Sequence, residues 1–333
     1  MKEAMFYQKK GDSVQCLLCP QACLIPPNKR GLCGVRENRE KKLYSLNFGK
    51  VASLNLDPIE KKPLFHFLPG SYSLSLATVG CNLSCSFCQN WEISQAYKKE
   101  KVLPGKKIMP EEIVDLALKH NCQSISYTYT EPTIFFEYAY QISRIAHQKN
   151  LKNVFVSNGF INPGPIETIS PHLDAINIDL KGFSEDYYKK ICQGSLQPIL
   201  NAVENYYKNK IFVEITSLIV PGHNDSERMI RKMAKFIAGL DKNIPWHISA
   251  FHPCHKMKNT PSTDVETIEK AREIGRQEGI KYIYAGNRGE SDNTLCPSCK
   301  KVLIERSRFA VRRINTKNNL CPECSEKTNL VLG

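Results

Sequence analysis

Three cysteines fall within the stretch TVGCNLSCSFCQNWEIS, at Cys81, Cys85 and Cys88. The spacing C-x3-C-x2-C makes a compact loop that carries three thiols. A structural zinc site closes on four ligands, and no histidine lies between 67 and 119 to supply the fourth. An iron–sulfur cube held by three cysteines instead leaves one iron without a protein ligand. That vacancy suits a molecule that must reach the metal.

Two further groups bring the clustered cysteines to eleven of the chain's 14. Cys296, Cys299, Cys321 and Cys324 form two C-P-x-C knuckles at zinc-ribbon spacing, which predicts a structural zinc site. Between the knuckles runs KKVLIERSRFAVRRINTK, with seven basic residues and one acid. Its alternation suits a half-exposed hairpin, either solvated or serving as a basic finger for RNA or an acidic protein. Cys16, Cys19, Cys23 and Cys33 are read as a second zinc site, with a second iron–sulfur cluster as the alternative. Cys122, Cys192 and Cys254 stand alone and read as small buried residues. The first residues show no signal-peptide pattern, and no apolar run approaches the roughly 20 residues that span a membrane. A soluble, cytoplasmic protein is expected, with thiols kept reduced.

The elements that must position these loops are legible from about residue 71. β-rich runs recur at 71–79, 124–130, 153–159, 175–181, 211–220, 246–251 and 281–287. Helix-like runs lie between them at 110–121, 133–149, 225–240 and 262–279, with Asp225 and Ser262 or Thr263 as expected N-caps. Such alternation predicts a parallel α/β sheet closed into a complete or partial barrel. Unusual polar residues gather near the strand C-termini: Thr130 and Glu131, Ser157 and Asn158, Asp179 and Lys181, Glu214 and Thr216, then His252. That end of a parallel barrel is where active sites are built. Asp179 and Lys181 are two residues apart and share a side of their strand, as site residues or as a structural ion pair. Three units are expected: a cysteine-rich segment over 1–70, a barrel over 71–290 and a zinc-ribbon-like module over 291–333.

The cysteine loop, with aromatic Phe87 before its last cysteine, resembles the signature of the radical S-adenosylmethionine (SAM) superfamily. The resemblance implies a partial (β/α)6-type barrel, a 4Fe–4S cluster on Cys81, Cys85 and Cys88, and SAM chelating the fourth iron. It also implies reductive cleavage of SAM to a 5'-deoxyadenosyl radical that abstracts hydrogen from a substrate. YTEPT (129–133) resembles the superfamily's Gly-Gly-Glu-Pro segment, with Tyr129 and Thr130 where glycines stand and Glu131 toward the SAM amino group. IDLKG (178–182) and FHP (251–253) are similar to segments near SAM in pyruvate formate-lyase activating enzymes. On that basis Phe87, Thr130, Glu131, Ser157, Asn158, Asp179, Lys181, Glu214, Thr216 and His252 are candidates for the SAM pocket. GLCGVREN, DPIEKKPLFHFLPG and GCNLSCSFCQNWEISQ, in that order, resemble the radical SAM member of the AmmeMemoRadiSam system.

The chain has 333 residues, 41% of them apolar, and a net charge of +13. A basic surface favours acidic partners, among them the flavodoxin or ferredoxin type of low-potential electron donor. Three functions compete: radical chemistry on a protein or RNA, the same chemistry on a small molecule, and a metal-dependent nucleic-acid-binding or scaffold protein without turnover.

Overall fold

The computed structural model describes residues 1–100, 102–288, 292–316 and 318–333. Eight strands form one sheet in chain order: β1 (Ser53–Pro58), β2 (Tyr72–Ala77), β3 (Ser124–Tyr127), β4 (Lys152–Ser157), β5 (Ala175–Asp179), β6 (Phe212–Ile219), β7 (Trp246–Ala250) and β8 (Ile283–Gly286). β1 runs antiparallel to β2, with Leu54 opposite Leu76. Every later pair is parallel. Among the described residues β1 and β8 do not pair, so the barrel is partial. The seven parallel strands coincide with the seven β-rich runs. β3 and β7 are buried along their whole length, as strands covered on both faces must be.

Among the described residues, six helices of seven residues or more accompany the strands: α1 (Pro110–Lys119), α2 (Phe136–Gln148), α3 (Pro163–Ile169), α4 (Gln197–Lys208), α5 (Glu227–Leu240) and α6 (Val265–Gln277). α5 is capped by Ser226, one residue beyond the expected Asp225, and α6 by Asp264 rather than Ser262 or Thr263. In each case the capping oxygen accepts from the N–H three residues on. α3 and α4 fall outside the helical runs read from the sequence. α4 nevertheless buries Ile199, Ala202, Val203 and Tyr206, a helical period of three and four. α3 is short and opens Pro-Gly-Pro, which hides it from propensity. Gly275 of α6 sits against β7 and β8: a Cβ there would lie 2.6 Å from Ile283 Cδ1 and 3.0 Å from Trp246 Cζ3. Only glycine lets that helix approach so closely.

The sheet begins before the expected boundary at 71, because β1 is a full partner of β2. The preceding segment is not irregular. It forms two small antiparallel sheets, Tyr7–Lys10 with Ser13–Cys16 and Leu24–Ile25, and Lys2–Glu3 with Lys42–Ser45 and Arg36–Arg39. Buried Arg36 reaches Glu137 of α2 at 2.6 Å and ties this segment to the barrel. The boundary expected at 290/291 lies outside the described residues. Beyond it, β9 (Thr294–Leu295), β10 (Val302–Ser307) and β11 (Ala310–Ile314) form an antiparallel sheet. Arg306 leaves the basic face of this hairpin and is buried, donating to Phe65 O at 2.5 Å and Thr294 Oγ1 at 2.8 Å.

Candidate active site

The loop after β2 carries the cysteine triad, and its shape is fixed by backbone and side-chain bonds. Ser84 and Ser86 donate their N–H groups to Cys192 O and Ile191 O, each at 2.9 Å. The Lys98 ammonium binds Leu83 O at 2.6 Å and Ser84 Oγ at 2.8 Å. The Leu83 N–H points at Cys81 Sγ (3.4 Å), and Cys88 Sγ lies 3.2 Å from Ser94 Oγ. Burial, with Glu131 adding to it, pushes the Cys81 thiol up. A thiol in such a place becomes a thiolate when a cation binds it.

Cys81, Cys85 and Cys88 all open on one cavity of about 550 Å³. The strands add polar groups to its wall: Thr130 after β3, Ser157 and Asn158 at the end of β4, Asp179 and Lys181 around the end of β5, and Thr216 on β6. Phe87 lines it beside the cysteines. Asp179 and Lys181 pair at 2.7 Å, and the Lys181 ammonium lies 5.7 Å over the Phe87 ring. Burial opposes the Lys181 charge, yet Asp179 and the neighbouring cysteines hold its pKa well above the ordinary lysine value. The buried Thr216 hydroxyl has no hydrogen-bond partner among the described residues. The cavity therefore offers thiols, a carboxylate, an ammonium and an unsatisfied hydroxyl to one occupant.

Three expected pocket residues are not brought to this wall. Glu131 is fully buried behind it, accepting from Thr133 N (3.0 Å), Thr133 Oγ1 (2.7 Å), Ser157 Oγ (2.8 Å) and Asn158 N (2.8 Å). Burial raises its pKa despite those donors. It fastens the end of β3 to the end of β4 and does not line the cavity. Glu214 sits deeper in the barrel, binding the N–H groups of Phe65 and His66 (3.0 and 2.8 Å) and His247 Nε2 (2.6 Å). Its side chain lies two residues before Thr216, nearer the start of β6. His252 is exposed, with Nε2 3.1 Å from Asn287 O. Asn287 lines the cavity in its place.

Sequence reasoning missed the grouping of Asp57, Lys62 and Tyr129, of which Lys62 and Tyr129 line the cavity. Lys62, 1% exposed, donates to Asp57 at 2.6 Å and lies 4.5 Å over the Tyr129 ring. The Tyr129 hydroxyl donates to the same carboxylate. Burial opposes the Asp57 charge, but these donors and Lys61 hold its carboxyl below the usual range. Burial also lowers Lys62, to about 8. Tyr129 takes a φ of +61°, a conformation glycine adopts freely and other residues pay about 1–3 kcal/mol to hold. Its side-chain bonds to Asp57 and Asn55 offset that strain. The stretch DPIEKKP carried the signal in its resemblance, not in any spacing.

The radical SAM superfamily model matches residues 75–237, which span β2 through most of α5. The chain belongs to the radical SAM superfamily. It is 45% identical, over the whole length of both proteins, to an uncharacterised protein of Methanocaldococcus jannaschii. It is 25% identical to the pyruvate formate-lyase-activating enzyme of Clostridium pasteurianum, over 61% of this chain and 87% of that one. A radical SAM methyltransferase from Sphaerobacter thermophilus shares the fold, with a TM-score of 0.52 and 17% identity over 66% of this chain and 67% of that one. Superfamily membership brings SAM-cleaving radical chemistry, and with it SAM and a 4Fe–4S cluster. The residues present fit both groups: three thiols without a fourth, next to a cavity whose wall keeps an unpartnered hydroxyl and an ion pair.

A second group of thiols is drawn together elsewhere. Cys296 and Cys324 have their sulfurs 3.6 Å apart, as do Cys299 and Cys321. All four lie within 4.8 Å of one another, a set that can hold a metal ion. Among the described residues it is the one group of three or more such donors that closes so tightly. Cys16, Cys19, Cys23 and Cys33 do not; they surround a separate small cavity instead. No helix among the described residues is long and apolar enough to cross a membrane.

Proposed function

We propose that this chain is a radical SAM enzyme, similar to pyruvate formate-lyase activating enzymes, that abstracts hydrogen from a protein or RNA. Cys81, Cys85 and Cys88 hold the 4Fe–4S cluster. The observation that carries this reading is the shared cavity, in which three thiols and polar groups on and after four strands face one space. When bound, cluster and SAM supply one-electron cleavage of a sulfur–carbon bond and a 5'-deoxyadenosyl radical. The chain's own part is to position and to exclude water. Thr130, Ser157, Asn158 and Thr216 offer hydrogen bonds to SAM along the wall. Asp179 and Lys181 present one charge of each sign to its polar groups, and Phe87 backs the ammonium. Glu131 and Glu214 act at one remove, the first by holding Ser157 and Asn158 in place, the second by anchoring residues 65–66. Lys61, exposed and lining the cavity, with the chain's net charge of +13, suits an acidic substrate and an acidic flavodoxin or ferredoxin as electron donor. The C-terminal quartet holds structural zinc, and the quoted motifs resemble those of the AmmeMemoRadiSam radical SAM enzymes. Fourteen unpaired cysteines suit a reducing cytoplasm.

The test is isotope transfer. Protein, RNA and small-molecule fractions from deuterium-grown cells are each supplied to the anaerobic enzyme with SAM and reductant. Deuterium entering 5'-deoxyadenosine from protein or RNA supports the proposal. Label coming from the small-molecule fraction alone replaces the substrate class.

A further inference from the structure

The N-terminal cysteines have the same ligand type as the C-terminal quartet and a similar first spacing, yet a different geometry. Tetrahedral zinc, with Zn–S bonds of about 2.3 Å, sets its sulfurs about 3.8 Å apart. The C-terminal quartet meets that separation, and the N-terminal quartet does not. The Cys81 triad does not meet it either. A group of four irons and four sulfides holds its ligands further apart than one ion does. Cys16, Cys19, Cys23 and Cys33 nevertheless line one cavity together, so they are spread around a space rather than scattered.

Arg36 lines the same cavity and is 1% exposed. Its Nη2 binds Glu137 at 2.6 Å, but Nε and Nη1 are buried with no acceptor among the described residues. Unpaired buried donors on a guanidinium are costly. An anionic occupant with several acceptor sulfurs would satisfy them, and hydrogen bonds to cluster sulfurs are among the groups that set a cluster's potential.

From these two observations we infer that Cys16, Cys19, Cys23 and Cys33 ligate a second 4Fe–4S cluster, with Arg36 donating to its sulfurs. The site adjoins the first. Asn82, next to Cys81, lines the second cavity, and Cys33 O would lie 2.8 Å from a Cβ on Gly80, whose φ is +104°. If the proposed function holds, that contact makes the second cluster a one-electron relay. It takes one electron from the low-potential donor and hands one to the Cys81 site, with no net change in itself.

The experiment uses the full chain carrying Cys81→Ala, Cys85→Ala and Cys88→Ala, reconstituted without air. It is expected to keep about four irons and four sulfides per chain, and to lose them when Cys19→Ser and Cys33→Ser are added. Circular dichroism and C-terminal metal content show that both variants are folded. Two zincs per chain and no iron in the triad-lacking variant would overturn the site, whatever becomes of SAM cleavage in the wild type. For the relay, the reduced wild type should show an electron paramagnetic resonance spectrum broadened by coupling between two clusters. A plain sum of the two single-site spectra would overturn it.

Discussion

The C-terminal quartet and the Cys81 triad offer the same ligand atom to opposite ends. The four C-terminal sulfurs close on one another around a core of little more than Cys296, Leu303, Ile304, Cys321 and Leu330. Such a module has too few apolar residues to fold by burial alone, so its thiols do structural work. The triad instead sits at the end of a barrel whose strands and helices bury a large core, of which the three cysteines are a small part. It offers three thiols and not four, and all three face a cavity. A site that stabilises a fold uses every ligand inward, whereas a site that does chemistry keeps one position open.

The sharpest way to break this comparison is air. Oxygen should strip the irons of the triad completely, because one of them lacks a thiolate, while the C-terminal metal stays. Metal analysis before and after exposure, on a chain carrying Cys19→Ser and Cys33→Ser so that the triad alone holds iron, reads both sites in one sample. Equal loss at both ends would remove the distinction. A chelator should act the other way round. Structural zinc contributes about 10–16 kcal/mol of apparent binding free energy in small peptides, so removal of the zinc proposed for the C-terminal quartet should unfold residues 296–324 first. Hydrogen exchange should show lost protection there while β3 and β7 remain protected, and simultaneous loss would make the module part of the barrel.

Within the cavity, Lys181→Met should weaken SAM binding by about 10- to 150-fold, the loss of about 1.5–3 kcal/mol expected for a hydrogen bond to a charged group. Thr216→Val should weaken it by a few-fold, the loss of about 1 kcal/mol for a neutral one, and should leave stability almost unchanged because the hydroxyl has no partner to lose. Equilibrium titration with SAM measures both, and a Thr216→Val chain that binds SAM as tightly as the wild type would take that hydroxyl out of the site. A pH-dependent effect belongs to the barrel interior. Burial lowers His66 to about 4 from 6.5. As pH falls from 6.5 toward 4 the unfolded chain takes up a proton that the folded chain refuses, and stability drops. His66→Gln should make the melting temperature less dependent on pH over that window, and parallel curves would reassign the effect.

Much of this architecture was legible because parallel strands buried on both faces read as apolar runs, and all seven appeared where expected. The triad was legible for another reason: three cysteines in one short loop need no tertiary information to be neighbours. What stayed hidden depends on direction. Glu131 and Ser157 look alike as polar residues at strand ends, yet one points behind the wall and the other lines it. Glu214 and Thr216 share a face of β6 and differ in depth. Asp57, Lys62 and Tyr129 meet across 72 residues of chain, which no local pattern records. The closed and open quartets begin with the same C-x2-C spacing, and only the fold around them separates the two.

The central claim is that the triad and its cavity cleave SAM. Anaerobically reconstituted protein, given SAM and a strong reductant, should form 5'-deoxyadenosine, quantified by liquid chromatography with mass detection. Cys85→Ala should form none, while Cys299→Ser forms as much as the wild type. A wild type that carries its irons and binds SAM yet yields no 5'-deoxyadenosine, or a Cys85→Ala chain that still yields it, would contradict the account.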